Sequence, residues 1–547
     1  MKRYFTIPIG VLLLTGVAWL QVPPPRPKAI AELIPPGALL AIEAKDFHAL
    51  LSSWDQSQAK AKWLKSANYE QFTQSNLFQK MSGVFDEYNA ASQFAPGLAD
   101  VLQIAGSESA LALYDPRELE FLYITRLDNT ALSQSQLWGM RAKFEERQSA
   151  GKTFYLRTGS KRTVAFAFSG DYFFLATRDD LIAQALALQS GSQGPNLAGE
   201  RWYADAAQAS SGRGDLRMTL DLQSLVNNTY FRSYWIHRNV SELKPFRSEI
   251  CDLDRTAGGF TERRVLLRQS DVPAAPALDL GPLVSVAPPT IGLYRVFATV
   301  QPETAAQWIE EKLLYPTPSA TRDNRIAPPS DVQPDAGTEA DLETRIDALP
   351  VPSEQRARVM EILKPWLTSA NITALAEYQS SERPQGSDFV STPAAIALLS
   401  SRDWDADAAR IAFRAALTAR VSEGNVGTLD GLARRSIAIR GRVLLLANDA
   451  ALLQQILATN TPQTGAPGAD SIATFHHAGE RDNFMRIMHD LDAAPAINNG
   501  MQFRNAGAAP FFSANLGSLS EVLSSVSTVT VTQQSNPNSV VQLVEYR

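Results

Sequence analysis

Apolar positions in this chain recur with two periods, and the same succession of periods occurs twice. In Lys161 to Gln189, KRTVAFAFSGDYFFLATRDDLIAQALALQ, Val164, Phe166 and Phe168 alternate with smaller residues at the strand period, and Tyr172 to Leu175 is a short apolar run. Leu181, Ile182, Ala185 and Leu186 then recur at the helical period and form one stripe. From Ala438 to Ala458 the chain reads AIRGRVLLLANDAALLQQILA, and a shift of 271 positions, Gly170 onto Gly441, superposes the two without a gap. Leu175 and Ala176 fall on Leu446 and Ala447, Leu181 on Leu452, Gln184 on Gln455 and Leu186 on Leu457. Both copies predict a strand, a tight turn at glycine, a second strand and an amphipathic helix. Thr177 and Asn448 stand at the same place before each helix, where they are expected to accept hydrogen bonds from first-turn amides.

The duplication extends outward from these blocks. IPPGALLAIEAKDFHALLSSW predicts a turn at Ile34 to Gly37, a strand over Ala38 to Ala44 and a helix with Phe47, Leu50, Leu51 and Trp54 on one face. Its counterpart, APPTIGLYRVFATVQPETAAQWIEEKLL from Ala287, predicts a strand and a helix carrying Ala306, Ile309 and Leu313. Strands follow at Ala110 to Tyr114 and Glu120 to Arg126, matched by Ala374 to Tyr378 and Ala394 to Leu399. Asp128 and Asp403 are expected to begin comparable helices. Each half then has a further strand, Asp215 to Leu222 or Ser471 to Phe475, a helical segment, and a closing hairpin ending at Arg268 or Arg547.

Ahead of the repeats, Lys2 and Arg3 precede an uncharged apolar run to Val22, close to the ~20 residues that cross a bilayer. Trp19, Leu20 and Gln21 are poor cleavage-site residues, which favours an uncleaved signal anchor with Lys2 and Arg3 in the cytoplasm. The division expected is an anchor at 1–22, a proline-rich spacer at 23–33, a first α+β domain at 34–269, a linker at 270–286 and a second α+β domain at 287–547. The second carries a mobile insertion at 317–338, rich in proline, acids and serine. Because helices follow groups of strands, the class is α+β: two tandem related domains with mainly antiparallel sheets packed by helices, preceded by one N-terminal transmembrane helix. Each sheet is expected to give one face to its helices.

Composition adds limits. At 547 residues the chain is too long for one core, and a net charge of -6 without a basic cluster argues against nucleic-acid binding. The single cysteine, Cys251, excludes an intramolecular disulfide and multi-cysteine metal sites, and reads as a small buried residue beside a strand.

Motifs of known chemistry fail on spacing. Gly151-Lys152-Thr153 lacks the glycine five residues earlier, where Glu146 stands, and the order expected, helix then strand, is the reverse of a phosphate loop. Asp403, Asp405 and Asp407 start like a calcium loop, but Ala408 replaces its glycine and Arg414 its closing acid. Among His48, His237, His476, His477 and His489 no zinc spacing occurs, and there is no nucleophile elbow. Asp252, Asp254 and Arg255 read as a polar strand face with a local ion pair. No cofactor is expected, and neither catalytic nor metal-ligating residues are assigned. The strongest binding feature is aromatic: Tyr230 and Tyr234, like Phe231 and Trp235, are one helical turn apart. Packing under the sheet is the plain reading, and an apolar groove for lipid or peptide the sharper one.

The I-P-P-G opening, the apolar strand, D-F-x-x-L-L after it and the glycine-turn hairpin with its leucine helix resemble an uncharacterised family of bacterial membrane-anchored envelope proteins of unknown function. The resemblance implies an inner-membrane, single-pass location with the bulk of the chain periplasmic or extracytoplasmic, and supplies no catalytic residues. The first reading is therefore a non-enzymatic tethered protein that binds a protein or another envelope component. A carrier or sensor of a hydrophobic ligand such as lipid is the second reading, and a hydrolase with dispersed catalytic residues the third.

Overall fold

The computed structural model describes residues 28–229, 243–273, 279–298, 302–309, 353–380, 393–417, 420–421, 426–430, 435–460, 468–493 and 512–547. The apolar run 1–22, the insertion 317–338 and the aromatic group Tyr230, Phe231, Tyr234 and Trp235 lie outside the described residues. Among those described, no helix is long and apolar enough to cross a membrane.

The protein is α+β with one large antiparallel sheet. Its first ten strands are β1 (Leu40–Ala44), β2 (Ser109–Asp115), β3 (Glu120–Arg126), β4 (Glu145–Ser149), β5 (Lys152–Thr158), β6 (Thr163–Ser169), β7 (Tyr172–Ala176), β8 (Leu216–Leu220), β9 (Phe246–Thr256) and β10 (Gly259–Arg268). The second ten are β11 (Leu293–Ala298), β12 (Ile372–Gln379), β13 (Ala394–Ser400), β14 (Arg420–Val421), β15 (Val426–Asp430), β16 (Arg435–Arg440), β17 (Val443–Ala447), β18 (Ser471–Phe475), β19 (Val529–Ser535) and β20 (Ser539–Tyr546). Pairing runs β4-β5-β6-β7-β3-β2-β1-β8-β9-β10 in the first half. The second half has the same order, β14-β15-β16-β17-β13-β12-β11-β18-β19-β20.

Register repeats with order. Ala165 pairs with Ala176 as Ser436 pairs with Ala447, each 271 residues on, so Phe173 and Leu444 occupy the same point of the same strand and both are fully buried. The halves are joined edge to edge, because β10 and β20 pair from Phe260–Tyr546 to Leu267–Ser539. Pairing the two closing hairpins buries what would be two long open edges, the usual sites of unwanted strand addition.

Twelve helices matter here: α1 (Phe47–Asp55), α2 (Gln58–Leu64), α3 (Ala67–Thr73), α4 (Asn76–Ser92), α5 (Asp179–Gln189), α6 (Arg201–Ala209), α7 (Pro302–Ile309), α8 (Ser353–Ala370), α9 (Ala406–Leu417), α10 (Ala450–Ala458), α11 (His477–Ala493) and α12 (Ser518–Val522). They cover both faces of the sheet, whereas the sequence suggested one. One face is built from alanines, Ala41, Ala110, Ala112, Ala165, Ala167 and Ala176, repeated as Ala374, Ala376, Ala395, Ala397, Ala438 and Ala447. These small side chains, alternating with large ones on the other face, leave room for α5 in one half and α10 in the other. Leu181, Ile182, Ala185 and Leu186 of α5 are buried there, as the stripe predicted. The opposite face is aliphatic and aromatic: Phe166 and Phe173 pack with residues of α4 in the first half, and Leu398, Leu444 and Leu446 with α7, α8 and α9 in the second.

Three local expectations are corrected. Thr177 and Asn448 do not cap helices. Thr177 Oγ1 accepts from Phe121 N at 2.8 Å and Asn448 Oδ1 from Ala394 N at 2.7 Å, so both stay extended and lengthen the ladder between neighbouring strands. The cap of α10 is Asp449, whose side chain accepts from Leu452 N at 2.7 Å. Likewise α9 is capped by Asp405, not Asp403, through Asp407 N and Ala408 N at 2.9 and 3.0 Å. Asp128 does cap the first-half helix that follows it, accepting from Ala131 N at 2.8 Å. Finally, Gly151-Lys152-Thr153 is preceded by β4 and not by a helix: Ala150 and Gly151, at φ 47° and 72°, make the tight left-handed turn of a β4–β5 hairpin.

Candidate functional site

Ala44, Arg126, Tyr172, Leu216, the β9–β10 turn, Tyr546 and Phe475 all end at one edge of the sheet, as the pairings require. From this edge α1 leaves the first half after β1, and α11 leaves the second half after β18. Helix α1 is set by Asp46, which caps it through Ala49 N at 2.8 Å. Ser57, Ser66 and Ser75 cap α2, α3 and α4 in turn, which explains why a 46-residue stretch, 47–92, breaks into four short helices.

These helices bridge the halves. Asn68 is buried, and its Nδ2 donates to Asn515 Oδ1 at 2.8 Å and to Asn515 O at 3.2 Å. Trp63 Nε1 donates to Asn68 Oδ1 at 3.0 Å, Asn68 N to Ser518 Oγ at 3.3 Å, and Lys62 Nζ to Ser524 Oγ at 3.1 Å. Trp63 also stacks edge-on with Tyr69, tilts against Trp54 and touches Phe72. Despite this, neither α1 nor α2 buries a single residue. Trp54 and Leu64 from the first half are both 43% exposed, and Leu516 and Leu523 from the second are 46% and 47% exposed. The equivalent of α1 in the second half behaves oppositely, with Ala305, Ala306 and Ile309 of α7 fully buried. The stripe Phe47, Leu50, Leu51 and Trp54 was legible as amphipathic; that Phe47 packs edge-on against Tyr123 while Trp54 stays exposed was not.

A second cluster lies at the midline, where the halves join. Glu262 on β10 accepts from Arg264 Nε at 2.5 Å and Nη2 at 2.9 Å, from Cys251 Sγ at 2.9 Å and from Tyr546 Oη at 3.0 Å. Burial alone would push the Glu262 carboxyl up, but bonds from Arg264 and Cys251 and the arginine charge outweigh it and hold it below the usual range. Burial, then Glu262, pushes the Cys251 thiol well up, and Cys251 is the buried residue expected. Burial also raises Glu249, with Arg264 opposing and Glu262 reinforcing. This cluster sits on the aliphatic face, beside the half-buried Leu40, Ile42, Leu111, Leu113, Met218 and Leu220 of β1, β2 and β8. Tyr546 and Glu262 are 284 residues apart, and no sequence signal joins them.

On the alanine face Asp252 does not pair with Arg255. It meets Arg217 of β8 at 2.8 Å, with Gly214 N at 2.9 Å and Ser210 Oγ at 2.5 Å. Arg255 instead reaches Asp215, and Asp254 reaches Lys45. His477 Nε2 lies 2.8 Å from Ser520 Oγ, and its Nδ1 lies 2.9 Å from Val526 O. With Ser520 only 6% exposed, the pair ties α11 to α12 and presents no open nucleophile. Among the described residues no group of three or more His, Cys, Asp or Glu is placed to hold a metal ion.

No protein-family model matches the chain, and no curated protein does. Among solved structures, crystal form I of TP0453 is similar with a TM-score of 0.25 and 10% identity over 45% of this chain and 81% of that one. Crystal form III of TP0453 gives 0.23 and 9% over 44% and 81%. Likenesses at this level carry no argument.

Proposed function

We propose that the chain is a non-enzymatic, membrane-tethered extracytoplasmic protein, built from two related halves, that binds an envelope component through the joint surface of α1–α3 and residues 513–523. The observation that carries this reading is that both halves expose large apolar side chains beside the Lys62–Ser524 and Asn68–Asn515 bonds that bridge them, Trp54 and Leu64 from one and Leu516 and Leu523 from the other. Clustered apolar exposure marks interaction sites in soluble parts of proteins. The hydrophobic run 4–22 would supply the tether.

A second reading, a carrier of a hydrophobic ligand, is favoured by the half-buried aliphatic floor of β1, β2 and β8 beside the Glu262 cluster. In-cell photocrosslinking from position 64 separates the two. Capture of the same envelope component from positions 64 and 523 supports the first reading. Failure at both, with lipid copurifying on the sheet floor, replaces it with the second.

A further inference from the structure

We infer that the exposed apolar edge formed by α1–α3 and residues 513–523 docks on the lipid surface of the membrane that carries the tether. This deepens the proposed function and rests on its reading of 4–22 as an anchor.

Three observations lead here. First, the described chain starts at the same edge of the sheet that carries the patch. Lys28 O accepts from Arg126 Nη2 at 2.9 Å and Tyr172 Oη at 2.8 Å, and Lys28 Nζ donates to Leu188 O at 2.5 Å. Arg126 and Tyr172 pair with each other at the end of β3 and the start of β7. Only residues 23–27, PPPRP, separate Lys28 from the apolar run. Five residues reach at most about 15 Å in polyproline geometry. A bilayer holding 4–22 therefore lies within spacer reach of Lys28 and of this edge.

Second, large apolar side chains concentrate there. Of the nine that are most exposed among the described residues, Trp54, Leu64, Phe260, Leu516 and Leu523 lie at this edge. The helix of the second half that corresponds to α1, α7, leaves the far edge and buries Ala305, Ala306 and Ile309. The difference between two copies of one module thus follows distance from the tether.

Third, the residues suit an interface. Helix α2 with its next residue reads QAKAKWLK, so Lys62 and Lys65 flank Trp63 and Leu64. The exposed Trp54 and Leu64 enter the headgroup and acyl boundary while the stem of Lys65 reaches back to phosphates. Lys62 and Lys65 are exposed.

The test uses the full chain reconstituted in phosphatidylethanolamine and phosphatidylglycerol vesicles, with an environment-sensitive fluorophore on Leu64→Cys, Leu523→Cys or Arg117→Cys. Wild type, whose one cysteine is the buried Cys251, gives the labelling blank. Arg117 lies in the β2–β3 turn at the opposite edge and is 74% exposed in its side chain. Labels at 64 and 523 should shift to the blue and lose at least half their emission to nitroxide-bearing lipid, and the label at 117 should do neither. Water-like spectra at 64 and 523 in protein that resists alkaline extraction overturn the inference and leave the tether standing. Blue-shifted labels that the nitroxide lipid does not quench mean cover by protein and also overturn it. Release of the chain by alkaline wash removes the tether reading as well.

Discussion

Arg263 of β10 and Leu543 of β20 face each other across the joint, and they are equivalent residues of the two halves. Arg263 pairs with Asp252 on its other side and Leu543 with Thr532, each pair shifted by the same 280 positions. The two-fold relation between the halves therefore passes through this pair. One sheet, not two, presents both halves at a common edge, and that shared edge is what makes a joint surface of α1–α3 and residues 513–523 sterically available.

Asn68 is the polar centre of the bridge. Replacing it by alanine leaves Asn515 and the Trp63 indole without their partner and should cost about 1–3 kcal/mol. Hydrogen exchange should rise in 58–73 and in 513–523 together, with the strands unchanged. An increase confined to the first half would contradict a shared bridge.

The Arg217–Asp252 pair is 7% and 5% exposed, so removing one partner strands the other charge. Asp252→Ala should destabilise by about 3–5 kcal/mol in urea unfolding, and Arg217→Met combined with it should recover much of that. Burial would raise Asp252, but Arg217, Gly214 N and Ser210 outweigh it and hold it below the usual range. Its stabilisation is therefore present above the unfolded aspartate pKa of about 4 and is lost as pH falls through the lower folded value. Asp252→Asn should flatten this acid limb in Tm against pH. An unchanged limb would exclude Asp252 as its source.

Thr177→Val and Asn448→Ala should each cost about 0.5–1.5 kcal/mol by freeing the amides of Phe121 and Ala394. Asp449→Ala should cost about 1 kcal/mol by uncapping α10. Helix exchange should respond to Asp449→Ala alone. A response of α5 to Thr177→Val would restore the capping role.

How much of this was legible follows from where each contact lies along the chain. The glycine-turn hairpin and its helix were readable because Phe173 and Leu444 sit in sequences that superpose without a gap. Strands β2, β3, β12 and β13 were readable from local apolar runs. The joint was not, since Phe260 and Tyr546 are strand residues nearly 290 positions apart and neither sequence specifies its neighbour. Thr177 was misread because a threonine before a helix looks the same whether it caps the helix or extends the strand. Trp54 was placed on an apolar stripe correctly, but periodicity gives the face of a helix and not what covers it. Glu262, Cys251 and Tyr546 converge only after β9, β10 and β20 are laid side by side.

Cys251 should be nearly inert in the native protein. Burial and Glu262 disfavour its thiolate, so a disulfide reagent in excess should titrate one thiol in urea and almost none without it over minutes. Rapid native reaction would place the thiol in solvent and open the Glu262 cluster.

The joint surface and its bridge require β10 and β20 to be interior strands. Hydrogen exchange of residues 260–267 and 539–546, resolved to single amides, measures this directly. With the halves joined, every amide of both segments that points at a neighbour is paired, and protection should match that of Phe173 and Leu444. Exchange within seconds at alternate amides of β10 and of β20 would mean two open edges and contradict the single sheet.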